Sequence, residues 1–235
     1  MGQYYTACIL DKRYDTDPMT VFCPHEWNNG AKLMEHSYEA NEMVIAFTEQ
    51  LVESTENNYC RAAWVGDYSE DTLTDIDYLK TLDPYQISAL WQMYVKSWCV
   101  NKYGPGDSLE RRDMYPLWDE KHPENFELNR EPVIIANLDR KEYVVTRPND
   151  HPSNYDWKIS RIALLLCFCN HSGGSYHSDV HADMVGRWAG QRLVAGYDTN
   201  TISERIAGYI ENDGTGKEKK MDFSEFKELD FEFKE

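Results

Sequence analysis

Apolar and polar positions alternate along this chain mostly in strand-length runs, interrupted by stretches with helical spacing. Residues 3–10, QYYTACIL, predict a strand, and 11–18 a turn. Residues 19–23 and 31–36 predict two more strands about the turn signal Asn28-Asn29-Gly30. From 39 to 54, Met43, Val44, Phe47, Leu51 and Val52 recur at helical spacing. Residues 60–65 return to a short strand before Gly66. The clearest helix is 84–99, where Asp83 can cap the first turn and Pro84 suits its first position. Ile87, Leu90, Trp91, Tyr94, Val95, Trp98 and Cys99 then form one apolar stripe, read as core rather than a cofactor site.

Residues 100–130, with Gly104, Pro105, Gly106, Pro116 and Pro123, read as a long irregular connection, either a subdomain boundary or a binding excursion. Residues 132–138 predict a buried strand and 141–145 its hairpin partner, with Leu138-Asp139-Arg140 as the turn. Residues 161–169 are uniformly apolar and are read as helix, because strands of nine buried residues are uncommon. Residues 192–197 predict a strand and 202–211 a short amphipathic helix; beyond Asn212 the chain becomes charged and loses apolar density. The expected fold class is α+β, a mixed, largely antiparallel sheet from two divergent repeats with packed helices. The expected organisation is a strand-rich repeat over 1–72, a helical insertion and connection over 73–130, a second repeat over 131–212 and a charged tail over 213–235.

The repeat rests on two ordered matches. ACILDKR (7–13) resembles IANLDRKE (135–142), and RAAWVGDYSED (61–71) resembles RLVAGYDTN (192–200). The blocks MGQYY, GAKLMEHS, GDY, NLDRKEYV and GRWAG together resemble a poorly characterised family found in bacteria, their phages and some microbial eukaryotes. The first copy supplies Gln3, Tyr4 and Tyr5, Pro24 and His25, 30–37, and Gly66, Asp67 and Tyr68. The second supplies 137–144, the Gly-rich 170–175, 186–190, and Gly196, Tyr197 and Asp198. The chain departs from the pattern at Gln191, where the family has an acid, and at 170–175, where it has a richer Asn-Gly-Arg-Gly stretch. The resemblance implies an architecture and no established activity.

Charge narrows the function classes. Lys plus Arg number 24 against 41 Asp plus Glu, a net −17. Residues 1–60 carry −7, 61–130 carry −5, and 131–200 only −1. Such a chain is repelled by phosphate backbones, so direct nucleic-acid binding is disfavoured. No apolar run approaches membrane-span length. Six cysteines without a CxxC pair, and no basic-then-apolar leader, point to reduced thiols in the cytoplasm.

Candidate chemistry is concentrated at 170–183, NHSGGSYHSDVHAD. His171, His177, Asp179 and His181 offer imidazoles and a carboxylate suited to a transition metal, and Asn170, Gly173 and Gly174 could cradle a small ligand. No HExxH or Cys-His zinc pattern is present, so a plain surface loop competes with both. GxSxG, P-loop and GxGxxG signatures are missing from the sequence. Glu225 could close an EF-hand, but Gly214 and Gly216 would fall where carboxylates are needed. No cofactor is expected beyond a divalent metal at 170–183. Two readings follow. One is an acidic cytoplasmic protein-binding factor that engages a basic partner through Asp67, Glu70, Asp71, Asp75 and Asp77. It would be a phage- or mobile-element-encoded inhibitor or nucleic-acid mimic acting on a host-defence or nucleic-acid enzyme. The alternative is a metal- or nucleotide-binding hydrolase using the 170–183 loop, helped by Asp67 and Asp198.

Overall fold

The computed structural model describes residues 5–11, 19–30, 37–67, 69–103, 118–149, 159–168, 183–212 and 218–231. The chain opens with β1 (Tyr5–Asp11) and β2 (Met19–Phe22), then α1 (Glu42–Ser54) and β3 (Cys60–Gly66). Three helices follow, α2 (Ser69–Thr74), α3 (Ile76–Leu79) and α4 (Pro84–Tyr103), before β4 (Trp118–Glu120). The second half runs β5 (Ile134–Asn137), β6 (Glu142–Val145), α5 (Arg161–Leu166), β7 (Cys167–Phe168), β8 (Arg192–Gly196) and α6 (Thr199–Ala207). β9 (Ile210–Asn212), β10 (Glu218–Lys220) and β11 (Lys227–Glu228) complete it. The class is α+β, as the hydrophobic pattern predicts. The predicted strand at 31–36 lies outside the described residues.

Both halves build one mixed, mostly antiparallel sheet in the order β11-β6-β5-β8-β3-β1-β2-β4, with β7 parallel to β3. The halves meet where β3 and β8 pair antiparallel, Cys60 opposite Leu193 and Arg61 opposite Arg192. β1 and β3 are apolar on both faces because helices cover both. Strand side chains alternate sides, so Tyr5, Ala7, Ile9, Cys60, Ala62 and Trp64 pack under α1 and α5. Cys8, Leu10, Ala63 and Val65 face α4 on the other side. There α6 covers the second half, burying Ile202 and Ile206 against Ala136 and Val194. The cysteines at 8, 23, 60 and 167 are buried.

Local chemistry sets the helix ends. Asn41 Oδ1 accepts the Met43 amide at 2.9 Å to start α1. Asp83 Oδ1 accepts the Tyr85 and Gln86 amides at 2.8 and 2.9 Å to start α4, as expected. The buried face of α4 is rotated from the predicted stripe: Gln86, Ala89, Leu90, Met93 and Tyr94 are inside, whereas Ile87 and Trp91 are half-exposed. The rotation follows from what packs on the helix: Gln86 Nε2 donates to Ala189 O at 2.8 Å, so segment 183–190 claims that face.

Three further boundaries differ from the predicted ones. The apolar run 161–169 is helical only to Leu166, because Cys167 and Phe168 are captured by pairing with Trp64 and Val65. The helix predicted at 202–211 starts at Thr199, where Asp198 accepts the Thr201 amide at 2.9 Å, and ends at Ala207 before β9. The charged C-terminal stretch nevertheless seats Met221, Phe226, Leu229 and Phe231 in the core, and β11 extends the sheet beside β6.

Candidate functional site

Beyond Gly66 the chain leaves the sheet and spends its acidic residues on two short helices. Ser69 Oγ donates to Phe168 O at 2.6 Å, fixing the start of α2 to the sheet. Leu73 turns inward, while Glu70 and Asp71 point outward. Tyr94, from the buried face of α4, extends its hydroxyl to Glu70 Oε2 at 3.1 Å. Burial, the Glu70 hydrogen bond and the charges of Glu70, Asp71 and Asp67 together push that phenol up to about 12. The fold therefore gathers Asp67, Glu70 and Asp71 around one tyrosine. Asp75 and Asp77 are exposed on the next turn, where Asp75 Oδ1 accepts the Asp77 amide at 2.9 Å and Asp77 pairs with Lys80 at 2.8 Å. Of the five predicted acids, three act on one tyrosine, whereas Asp75 and Asp77 are exposed and engaged locally.

The second predicted site lies outside the described residues: Asn170, His171, Gly173, Gly174, His177, Asp179 and His181 all fall in 169–182. Among the described residues, no group of three or more His, Cys, Asp or Glu side chains is arranged to hold a metal ion. Asp198, offered to the hydrolase reading as a turn acid, spends both carboxylate oxygens on Thr201 as a helix cap. Glu225 is held at about 2 by hydrogen bonds from Lys141 and Lys219, and so serves as an ion-pair centre.

A second polar assembly comes from segments far apart in sequence. Asn137 Oδ1 accepts the amides of Asp139 and Arg140, both at 2.9 Å, closing the β5–β6 turn. Its Nδ2 donates to Gln191 Oε1 at 2.7 Å. Glu142, on β6, accepts Arg187 Nε at 3.1 Å, Arg187 Nη2 at 2.6 Å and the indole of buried Trp188 at 3.0 Å. Burial alone would raise the Glu142 carboxyl; hydrogen bonds from Arg187 and Trp188, with the charges of Arg187 and Arg140, outweigh it and hold the group below its ordinary range. Gly186, at φ +70°, lets the chain pass so close to Cys167 that an added Cβ would meet its carbonyl oxygen at 2.5 Å. Arg140, Arg187, Gln191, Gln86 and Thr81 line a cleft of about 300 Å³ beside this network, with Leu82 and Val185 as apolar wall.

Sequence reasoning singled out the blocks NLDRKEYV and GRWAG without joining them; the contact between Glu142 and the Arg187-Trp188 pair is what joins them. The role of Tyr94 is not legible in the sequence, because a helical aromatic stripe signals burial and hides a hydroxyl that bonds an acid. Compared with protein families, curated proteins and solved structures, the chain matches none of them.

Proposed function

We propose that this protein is an acidic cytoplasmic binding factor that engages a basic partner protein through the face carrying Asp67, Glu70, Asp71, Asp75 and Asp77. The finer reading belongs to the same proposal: a phage- or mobile-element-encoded inhibitor or nucleic-acid mimic, acting on a host-defence or nucleic-acid enzyme. So does the origin of its fold in two divergent copies. The observation that supports it is the gathering of Asp67, Glu70 and Asp71 about Tyr94, whose phenol is pushed up to about 12 by burial first and by these acids in addition. Clustered carboxylates attract cationic groups, and opposed potentials speed encounter. Among the described residues no helix is long and apolar enough to cross a membrane.

The test is the association rate with a basic nucleic-acid-binding enzyme that the protein inhibits, measured across a salt series. Raising ionic strength from 0.1 M to 1 M shortens the Debye length from about 10 Å to about 3 Å, and association should slow accordingly. The triple variant Asp71→Asn/Asp75→Asn/Asp77→Asn should lower the association rate by roughly tenfold, leaving folding stability within about 0.5 kcal/mol. Association indifferent to both salt and the triple variant would falsify the acidic-face reading.

A further inference from the structure

The cleft beside Arg140 and Arg187 runs against the charge of the whole molecule. In a chain of net −17, its polar wall carries two arginines with Gln191, beside Gln86 and Thr81, and no carboxylate among its lining residues. The hydrogen-bond network decides their orientation. Because Asn137 Oδ1 is occupied by two backbone amides, its Nδ2 must donate, and Gln191 must answer with Oε1. The amino group of Gln191 is therefore left at the cleft wall. Glu142 is acceptor-only and takes Nε and Nη2 of Arg187, leaving Arg187 Nη1 as a further donor. Arg140 approaches Glu142 only through Nε, at 3.5 Å, so its terminal nitrogens retain their capacity. Gln86, buried and bonded through Nε2 to Ala189 O, is a fixed part of the lining. These side chains are held in place before any ligand arrives, so less ordering is lost on binding.

Two arginines face one buried carboxylate, and the second carboxylate near them, Asp183, is exposed and acts on Arg187 from the solvent side, so the positive charge at the cleft wall is carried by Arg140 and Arg187. The volume sits at the lower end for small-molecule sites. We propose that this cleft binds a small ligand through a phosphate or carboxylate group. Arg140 and Arg187 supply charge, Gln191 supplies a neutral donor, and Leu82 with Val185 meet the rest of the molecule. This site is independent of the acidic face, whose partner carries the opposite charge.

The experiment titrates the full chain with inorganic pyrophosphate and, separately, with citrate at constant ionic strength, reading backbone amide shifts. Saturable shifts of Gly186, Arg187, Gln191 and Arg140 are expected with at least one of the two, and the more effective probe reports whether phosphate or carboxylate is preferred. Arg140→Gln should weaken binding by roughly tenfold, as loss of one charge-assisted contact does. Gln191→Glu keeps the acceptor for Asn137 and should abolish binding, because the wall donor becomes a carboxylate. Melting temperatures of both variants, checked alongside, separate loss of the site from loss of the fold. Absence of saturable shifts with either anion, shifts reproduced by chloride, or equal affinity in folded Gln191→Glu would each overturn the site.

Discussion

Each half of the sheet centres on a strand between two antiparallel neighbours: β1 lies between β2 and β3, and β5 between β6 and β8. In each half a helix covers one face after the second strand, and another covers the opposite face after the third. The halves differ in what they do with this frame. Ile9, in the first, and Asn137, in the second, each precede a Leu-Asp pair, and both are fully buried. Ile9 joins the apolar core, whereas Asn137 organises a turn and orients Gln191. The first half spends its chemistry on long helices and an acidic face; the second shortens its helices and builds a polar network under a cleft. One frame can hold either arrangement, because the strand order is maintained by apolar pairs elsewhere along β1, β3, β5 and β8.

The halves are also tied together by a buried charge. Glu39, 4% exposed, accepts the amides of Arg147 and Arg161, both at 3.2 Å, and lies 3.6 Å from the Arg161 guanidinium, which is itself 4% exposed. Burial raises the Glu39 carboxyl, and the Arg161 charge opposes that. Glu39→Ala would leave Arg161 buried with, among the described residues, only surface-exposed Asp230 at 3.5 Å and the Val145 carbonyl. The expected loss is about 3–5 kcal/mol by urea denaturation. A loss below about 1 kcal/mol would show that the halves are held by the sheet alone.

How much of this is legible in the sequence depends on how local the cause is. β1, β3, β5 and β8 are apolar runs bounded by turn residues, and each lies within two residues of its predicted bounds. β4, β7 and β11 are two or three residues long, and only their partners make them strands. The buried Met221, Phe226, Leu229 and Phe231 follow no helical or strand period, so they vanish among the charges around them. The acids gathered at Tyr94 show in the density of Asp and Glu over 67–77. The cleft does not, because Asn137, Glu142, Trp188 and Gln191 meet only after β5, β6 and β8 have paired.

A second test contrasts the polar half with the apolar one through pH. Glu142 is held below its ordinary value of 4.5 in the folded chain, so the unfolded chain binds its proton more tightly. The stability it contributes is complete above about pH 4.5 and is lost as pH falls through the folded value. Glu142→Gln should cost about 2 kcal/mol at neutral pH, the range for hydrogen bonds to a charged group, and should flatten the acid limb of the stability curve. Ile9→Val, in the matching half, should cost about 1 kcal/mol with no change in pH dependence. If both variants leave the acid limb alike, Glu142 is not the group that makes the second half acid-sensitive.

The smallest expected effect separates the two helices that follow β2 and β6. α1 is capped: Asn41 Oδ1 takes the Met43 amide, and Asn41 Nδ2 reaches Asn29 Oδ1 at 3.0 Å. α5 begins after Ser160, whose buried hydroxyl caps nothing and has no hydrogen-bond partner among the described residues, although its backbone amide donates to Ser37 O at 2.7 Å. Asn41→Ala should therefore cost about 1 kcal/mol, the usual value of a lost cap. Ser160→Ala removes an unsatisfied buried hydroxyl while keeping the backbone bond, so stability should stay level or rise by a few tenths of about 1 kcal/mol. Paired urea titrations of the two variants read the asymmetry directly. A Ser160→Ala loss equal to that of Asn41→Ala would mean that the serine hydroxyl is bonded after all, and that both helices start from a working cap.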